Sequence, residues 1–293
     1  VKTLNIRGEA AMKTKKSVGP VLSRGAINFL MCLYAVLVIF PMAWTIMSSF
    51  KSTKEFYANV WALPKSLDLT NFTNAWKTAD IGTNILNSLI IVGASVVLTM
   101  VLAAMIAYAI TRFHFRGAGL IGKLFIVGLF VPLVLGTIPE FLILQKLHLY
   151  DTRLGLILVY TAYSMPMSVF IMMSNFETLP STYSEAAMID GCNHFQVFFK
   201  VMLPLAKSGL VTISIFNFLW EWNDYIYAMT FLPSATKRTL PVGLVKLTSM
   251  AMYRTDWGAL FAGLVIVMFP SVVIYILFQN QLQAGMNSGG IKG

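Results

Sequence analysis

The fold class this sequence predicts is an all-α membrane protein, a bundle of six transmembrane helices, and three observations carry that expectation. Hydrophobic residues make up 57% of the 293 and charged residues only 12%, with a mean hydropathy of +0.72. Soluble domains carry about 25% charged residues. A span needs about 20 apolar residues to cross roughly 30 Å of hydrocarbon, and four charge-free stretches meet that length: 25–50, 81–111, 154–176 and 257–291. Two further apolar stretches carry acids; one runs from Leu124 to Glu140, and the other starts at Ser208 and contains Glu221 and Asp224.

The first run follows Lys13, Lys15, Lys16 and Arg24. Its apolar stretch exceeds a typical signal-peptide core and no small-x-small cleavage site follows, so it reads as a retained signal anchor. Met12 is a candidate translation start. The expected organisation is a cytoplasmic tail at 1–24, a first transmembrane helix at 25–48, an extracytoplasmic loop at 49–82, a five-helix core at 83–279 and a cytoplasmic tail at 280–293. Positive charge favours the cytoplasmic side. The short basic loop from Arg112 to Lys123 therefore orients the chain with both termini inside.

The net charge of +10 sits in short segments between apolar runs, the pattern of a membrane protein rather than of a nucleic-acid binder. Cys32 lies in an apolar run and Cys192 in a polar connection, which makes neither a disulfide framework nor a metal site. His114, His148 and His194 have no ligand-like spacing, so no metal is expected. Gly117-x-x-x-x-Gly122-Lys123 imitates the start of a P-loop, but Leu124 replaces the hydroxyl that would hold magnesium. The segment also leads straight into a span rather than joining a strand to a helix in a nucleotide fold. An ATPase site of the chain's own is not expected.

The most informative stretch is the cytoplasmic connection 179–205, LPSTYSEAAMIDGCNHFQVFFKVMLPL. Thr182-x-x-Glu185 has the pattern of a capping box, and 185–190 reads as a short helix that Gly191 stops in a left-handed turn. A second segment ends at Leu203-Pro204, where proline begins the turn into the fifth span. Small residues at Ala186 and Ala187 let a partner approach closely. On physical grounds alone the stretch is equally a plain capped connection.

Glu185-Ala186-Ala187, three residues, Gly191, nine residues, Val201, one residue, Leu203-Pro204 resembles the signature loop of the permease subunits of bacterial binding-protein-dependent ABC importers. The one departure is Val201, where isoleucine is more usual. Asn87-Ser88, Ala107-Tyr108-Ala109, FLWEWND at 218–224, Thr239-Leu240-Pro241-Val242-Gly243 and the tail ending Gly289-Gly290-Ile291-Lys292-Gly293 resemble the carbohydrate-uptake, maltose-type branch. The resemblance implies a type I importer permease fold in the bacterial cytoplasmic membrane. It implies that the loop is a coupling helix (an EAA loop) docking on an ATPase subunit through Glu185, Ala186, Ala187 and Gly191. It further implies a heterodimer with a second permease, two copies of a cytoplasmic ATPase subunit and an extracytoplasmic solute-binding protein. ATP and Mg would be bound by the ATPase, leaving no cofactor in this chain.

Glu221 and Asp224 fall about 20 Å along the fifth span at ~1.5 Å per residue. Ionisable groups at that depth usually face a bundle interior or a watery path. With Asn217, Trp220, Trp222 and Asn223 they form a candidate substrate pathway, since rings beside hydrogen-bonding groups suit a sugar. In the alternative reading both tryptophans belong to an outer interfacial belt. Glu140, after Pro139, is expected in an exposed or loop position at the outer mouth of the third span. The branch suggests a sugar or oligosaccharide; glycerol phosphate or a polyol is the alternative. A phosphate would call for arginines or lysines at membrane depth, and the spans hold none. A secondary transporter would more often show internal repeats, and a membrane enzyme a nucleophile–base pair; neither is present.

Overall fold

The computed structural model describes residues 19–254 and 256–289. The possible start at Met12, most of the amino-terminal tail and the last four residues of the glycine-rich tail lie outside the described residues. In chain order the helices are α1 Gly19–Ser49, α2 Thr53–Ala58, α3 Thr70–Thr78, α4 Ile81–Arg112, α5 Ala118–Gly128, α6 Thr137–Lys146, α7 Arg153–Glu177 and α8 Thr182–Ile189. They continue as α9 His194–Gln196, α10 Leu203–Leu205, α11 Lys207–Asn223, α12 Ile226–Phe231, α13 Leu240–Gly243, α14 Val245–Arg254 and α15 Trp257–Gly289. The described residues contain no strand.

Among the described residues four helices are long and apolar enough to cross a membrane: α1, α4, α7 and α15. A fifth crossing is built from His194–Leu205 and α11, which meet at a bend of 73°. Pro204 stands in the first turn of α10, where its missing N–H costs nothing, and the chain turns at Ala206. The apolar stretch from Leu124 to Glu140 is not one helix. α5 ends at Gly128, a 3₁₀ turn spans Leu133–Gly136, and α6 follows. Pro41, Pro166 and Pro270 lie inside α1, α7 and α15. Proline at 132 disfavours helix at the residue before it and donates no hydrogen bond, and here the helix stops short of it although the apolar run continues. Counted as a broken crossing, this segment makes the bundle compatible with six.

α4 and α7 form the axis of the bundle. α4 buries Ser95, Thr99, Ala103 and Ala107 at a spacing of four, a stripe of small side chains that brings helices close. α7 answers with Ser164, Ser168, Met172 and Phe176. At one end this face continues into α8 and α11 through Ala187, Phe198, Met202 and Ile213. At the other end Tyr160, Tyr227, Phe231 and Val242 pack together. Gly243 is required there: a Cβ would stand 2.0 Å from Asn84 Nδ2, so only glycine lets α13 lie on α4. α1 is held mainly against α15, where Trp44, Phe56, Trp257 and Phe261 cluster, and its residues 25–40 are exposed.

Candidate functional site

The loop after α7 is a rigid, capped projection. α8 ends at Asp190, and Gly191 takes φ +87°. The Gly191 amide donates to the Met188 carbonyl (3.1 Å) and the Cys192 amide to Ala187 (3.0 Å). This is a Schellman closure, in which left-handed glycine satisfies the last carbonyls. The start of the helix differs from the expected capping box. Thr182 is already helical, Ser181 occupies the cap position, and no side chain caps the turn. The Ser184 hydroxyl instead donates to the Ser181 carbonyl at 2.8 Å. Ser184 and Ala187 face the core, whereas Glu185 and Ala186 are exposed and Ile189 is 86% exposed. Among the described residues Glu185 makes no ion pair.

Sequence reasoning did not assign a role to Arg112. From the end of α4 its Nη2 donates to the carbonyls of Phe176 (2.7 Å) and Leu179 (2.5 Å). A guanidinium at the last carbonyls of a helix satisfies orphan acceptors and complements the negative dipole end. Arg112 thus clamps the end of α7 and the root of the loop to α4.

The six residues of the fifth span do not share one face. Asn217 and Trp220 line a cleft of about 290 Å³ with Gly128, Tyr163, Ser164 and Met167. Trp220 is half-buried, edge-on to Tyr160 (5.7 Å) and Tyr163 (6.3 Å). The Asn217 amide donates to Ser168 Oγ at 3.0 Å. Glu221 points into the bundle, 1% exposed, where the hydroxyls of Ser95 on α4 and Ser164 on α7 donate to it. Asp224 follows the last residue of α11 and accepts from Tyr160 Oη (2.9 Å) and the Ala228 amide (2.9 Å), so it starts α12. Trp222 is 2% exposed, stacks on Phe218 and donates to the Val267 carbonyl at 3.2 Å. Asn223 bonds Ser271 Oγ at 3.0 Å. Trp222 and Asn223 therefore fasten α11 to α15, and Trp222 is no interfacial belt residue. Glu140 is also not in a loop: it lies in the first turn of α6, half-buried, and accepts from the Tyr163 hydroxyl that borders the cleft.

At the other end of the bundle the motif residues Asn87 and Ser88 meet the segment before α13. Asn87 Nδ2 donates to the carbonyls of Thr236 (3.1 Å) and Arg238 (3.0 Å), and Ser88 Oγ accepts from the Leu240 amide (2.8 Å). Arg153 holds the Asn87 oxygen through Nη2 at 2.8 Å. Next to it Asp151 accepts from the Ser234 amide and hydroxyl and pairs with Lys237 at 3.2 Å. Burial alone would push the Asp151 carboxyl up, but the Ser234 and Lys237 hydrogen bonds outweigh it and hold it below the usual range. No group of three or more His, Cys, Asp or Glu side chains that could hold a metal occurs among the described residues.

The fold is a helical membrane bundle with a projecting loop and an internal cleft. Residues 99–288 match the family of binding-protein-dependent transport system inner membrane components, and the chain belongs to it. The diacetylchitobiose uptake system permease protein NgcG of Streptomyces coelicolor is 40% identical over 263 residues, 90% of this chain and 87% of that protein. The probable ABC transporter permease protein YurM of Bacillus subtilis is 35% identical over 261 residues, 89% and 86% of the two chains. Among solved structures, a chain of a bacterial ABC transporter that imports the acidic polysaccharide alginate superposes with a TM-score of 0.78 over 90% of this chain and 97% of its own, at 24% identity. The expected type I importer permease fold and its place in the cell membrane are borne out.

Proposed function

We propose that this chain is one permease half of an ATP-driven importer for a neutral sugar or oligosaccharide, and that α8 is its coupling element. The observation that carries the reading is the geometry of α8. Ala187 and Ser184 anchor it inward, Arg112 clamps its root, and Glu185, Ala186 and Ile189 are exposed. Ile189, 86% exposed beside the exposed Tyr183 and Met188, offers an apolar contact for a partner's groove. The carboxylate of Glu185 supplies a charge for a basic residue of the ATPase. Gly191 sets the angle at which the element stands.

The sugar class is supported by the relative named for diacetylchitobiose uptake and by the cleft itself. Trp220 and Tyr163 offer ring faces, and Asn217 and Ser164 offer hydrogen-bonding groups, without a cation among the lining residues. Asn217 and Trp220 border the path, while Glu221, Asp224, Trp222 and Asn223 hold its wall. The amino terminus and the α8 end face the cytoplasm, consistent with the basic run from Arg112 to Lys123. A second permease, two ATPase subunits and a solute-binding protein complete the importer. The test is ATP hydrolysis by the reconstituted importer with Gly191→Pro. Loss of solute-stimulated hydrolysis with normal membrane insertion supports coupling through α8; unchanged hydrolysis and uptake refute it.

A further inference from the structure

The molecule contains an apolar groove that shares no lining residue with the cleft of Asn217 and Trp220. It has a volume of about 230 Å³ and is lined by Met105, Tyr108 and Phe113 of the α4 end and by His194, Phe195 and Phe199 of the segment after α8, among others. Four of its walls are large and exposed: Phe195 at 73%, Phe199 at 51%, Met105 at 43% and Phe113 at 39%. The bottom of the groove reaches membrane depth, because Met105 lies seven residues before Arg112, or about 10 Å along the helix at ~1.5 Å per residue. A water-soluble ATPase subunit cannot follow it there.

Charge identifies the occupant. The chain segments forming the walls, 105–116 and 194–200, contain no acid but carry Arg112, His114, Arg116, His194 and Lys200. Arg112 is committed to the carbonyls of Phe176 and Leu179. Arg116 and Lys200 are exposed and make no ion pair among the described residues. The acids at this end, Glu177, Glu185 and Asp190, lie outside those walls, at the end of α7 and on the docking helix. An apolar slot at the membrane boundary, built from chain segments that carry cations and no acid, matches an acyl chain below an anionic headgroup. We infer that the groove between α4 and α9 binds an anionic phospholipid of the cytoplasmic leaflet. Binding itself does not depend on the transport reading; only the leaflet follows from the orientation proposed above.

The experiment is native mass spectrometry of the full importer complex, loaded with phosphatidylglycerol or phosphatidylcholine of matched chains. Two basic groups at the surface are worth roughly a 30-fold preference for the anionic lipid. Arg116→Gln with Lys200→Gln should reduce that preference to about twofold or less, while Ala109→Trp, which fills the slot, should remove retention of both lipids. Phe199→Ala, a smaller change at an exposed wall, should weaken retention of both lipids about equally and serves if Ala109→Trp fails to fold. Equal retention of the two lipids by the unaltered complex would overturn the inference. So would a preference unchanged by the double substitution, or lipid retained only when the ATPase subunits are absent, which would make the groove a protein interface.

Discussion

Replacing Arg112 by methionine keeps the apolar stem and removes the two hydrogen bonds to Phe176 and Leu179. A hydrogen bond to a charged group contributes about 1.5–3 kcal/mol, and two from one nitrogen share partners, so they add incompletely. A loss of about 2–4 kcal/mol follows. The loss is local, because the clamp joins α4 to the root of α8 and to nothing in α15. At ~1.4 kcal/mol per factor of ten, amide exchange in 179–190 should accelerate about 30- to 1,000-fold if that segment opens locally. Hydrogen exchange with mass detection in detergent or nanodiscs reads this directly, with α15 peptides as the internal control. Arg112→Lys, which can keep one of the bonds, should fall between. Exchange in 179–190 unchanged within about threefold, or a uniform rise across the whole chain, would show that Arg112 is a general stability residue and that the loop stands without it.

Other outcomes follow from named contacts. Gly243→Val forces a branched side chain onto Asn84, whose Nδ2 would stand 2.0 Å from a Cβ; overpacking costs about 1–3 kcal/mol or more, and a lowered thermal midpoint of the purified chain checks it. Glu221→Gln keeps one acceptor oxygen and replaces the other by an NH2 that can donate to a serine hydroxyl, and should change thermal stability little. Glu221→Leu leaves buried hydroxyls without that partner and should cost about 1–3 kcal/mol. The Asp151 clasp has a depressed carboxyl, so its stabilisation is present at neutral pH and is lost as pH falls below the ordinary aspartate range near ~4. Protection of the Ser234 amide, as exchange corrected for the intrinsic pH dependence of amide exchange, should fall there, and this loss should be absent in Asp151→Asn. Trp220→Ala should weaken uptake of the transported solute with assembly intact.

What could be read in the sequence follows from which forces are local. The long spans were legible because lipid imposes length and apolarity on each helix separately. Gly191 was legible because a left-handed turn at a helix end has few other solutions. The break inside the third apolar stretch was not legible because hydropathy registers the apolar run and not the interruption between Gly128 and Leu133. Thr182 looked like a cap because capping patterns shift by a residue at little cost; the helix instead starts one residue earlier, behind Ser181. FLWEWND was read as one cluster although neighbouring residues on a helix point about 100° apart. Asn217 and Trp220, three apart, share the cleft, whereas Trp222 and Asn223 turn to α15. Arg112 escaped notice because its partners are carbonyls 64 and 67 residues away, which no local pattern encodes.

The central claim, that α8 seats this permease on a separate ATPase, is tested most directly by placing a photo-crosslinking amino acid at Ile189 in the assembled importer. The account predicts a covalent adduct with the ATP-binding subunit from position 189, and none from Trp61 beyond the first span. Absence of that adduct in an importer that still couples ATP hydrolysis to uptake would contradict it.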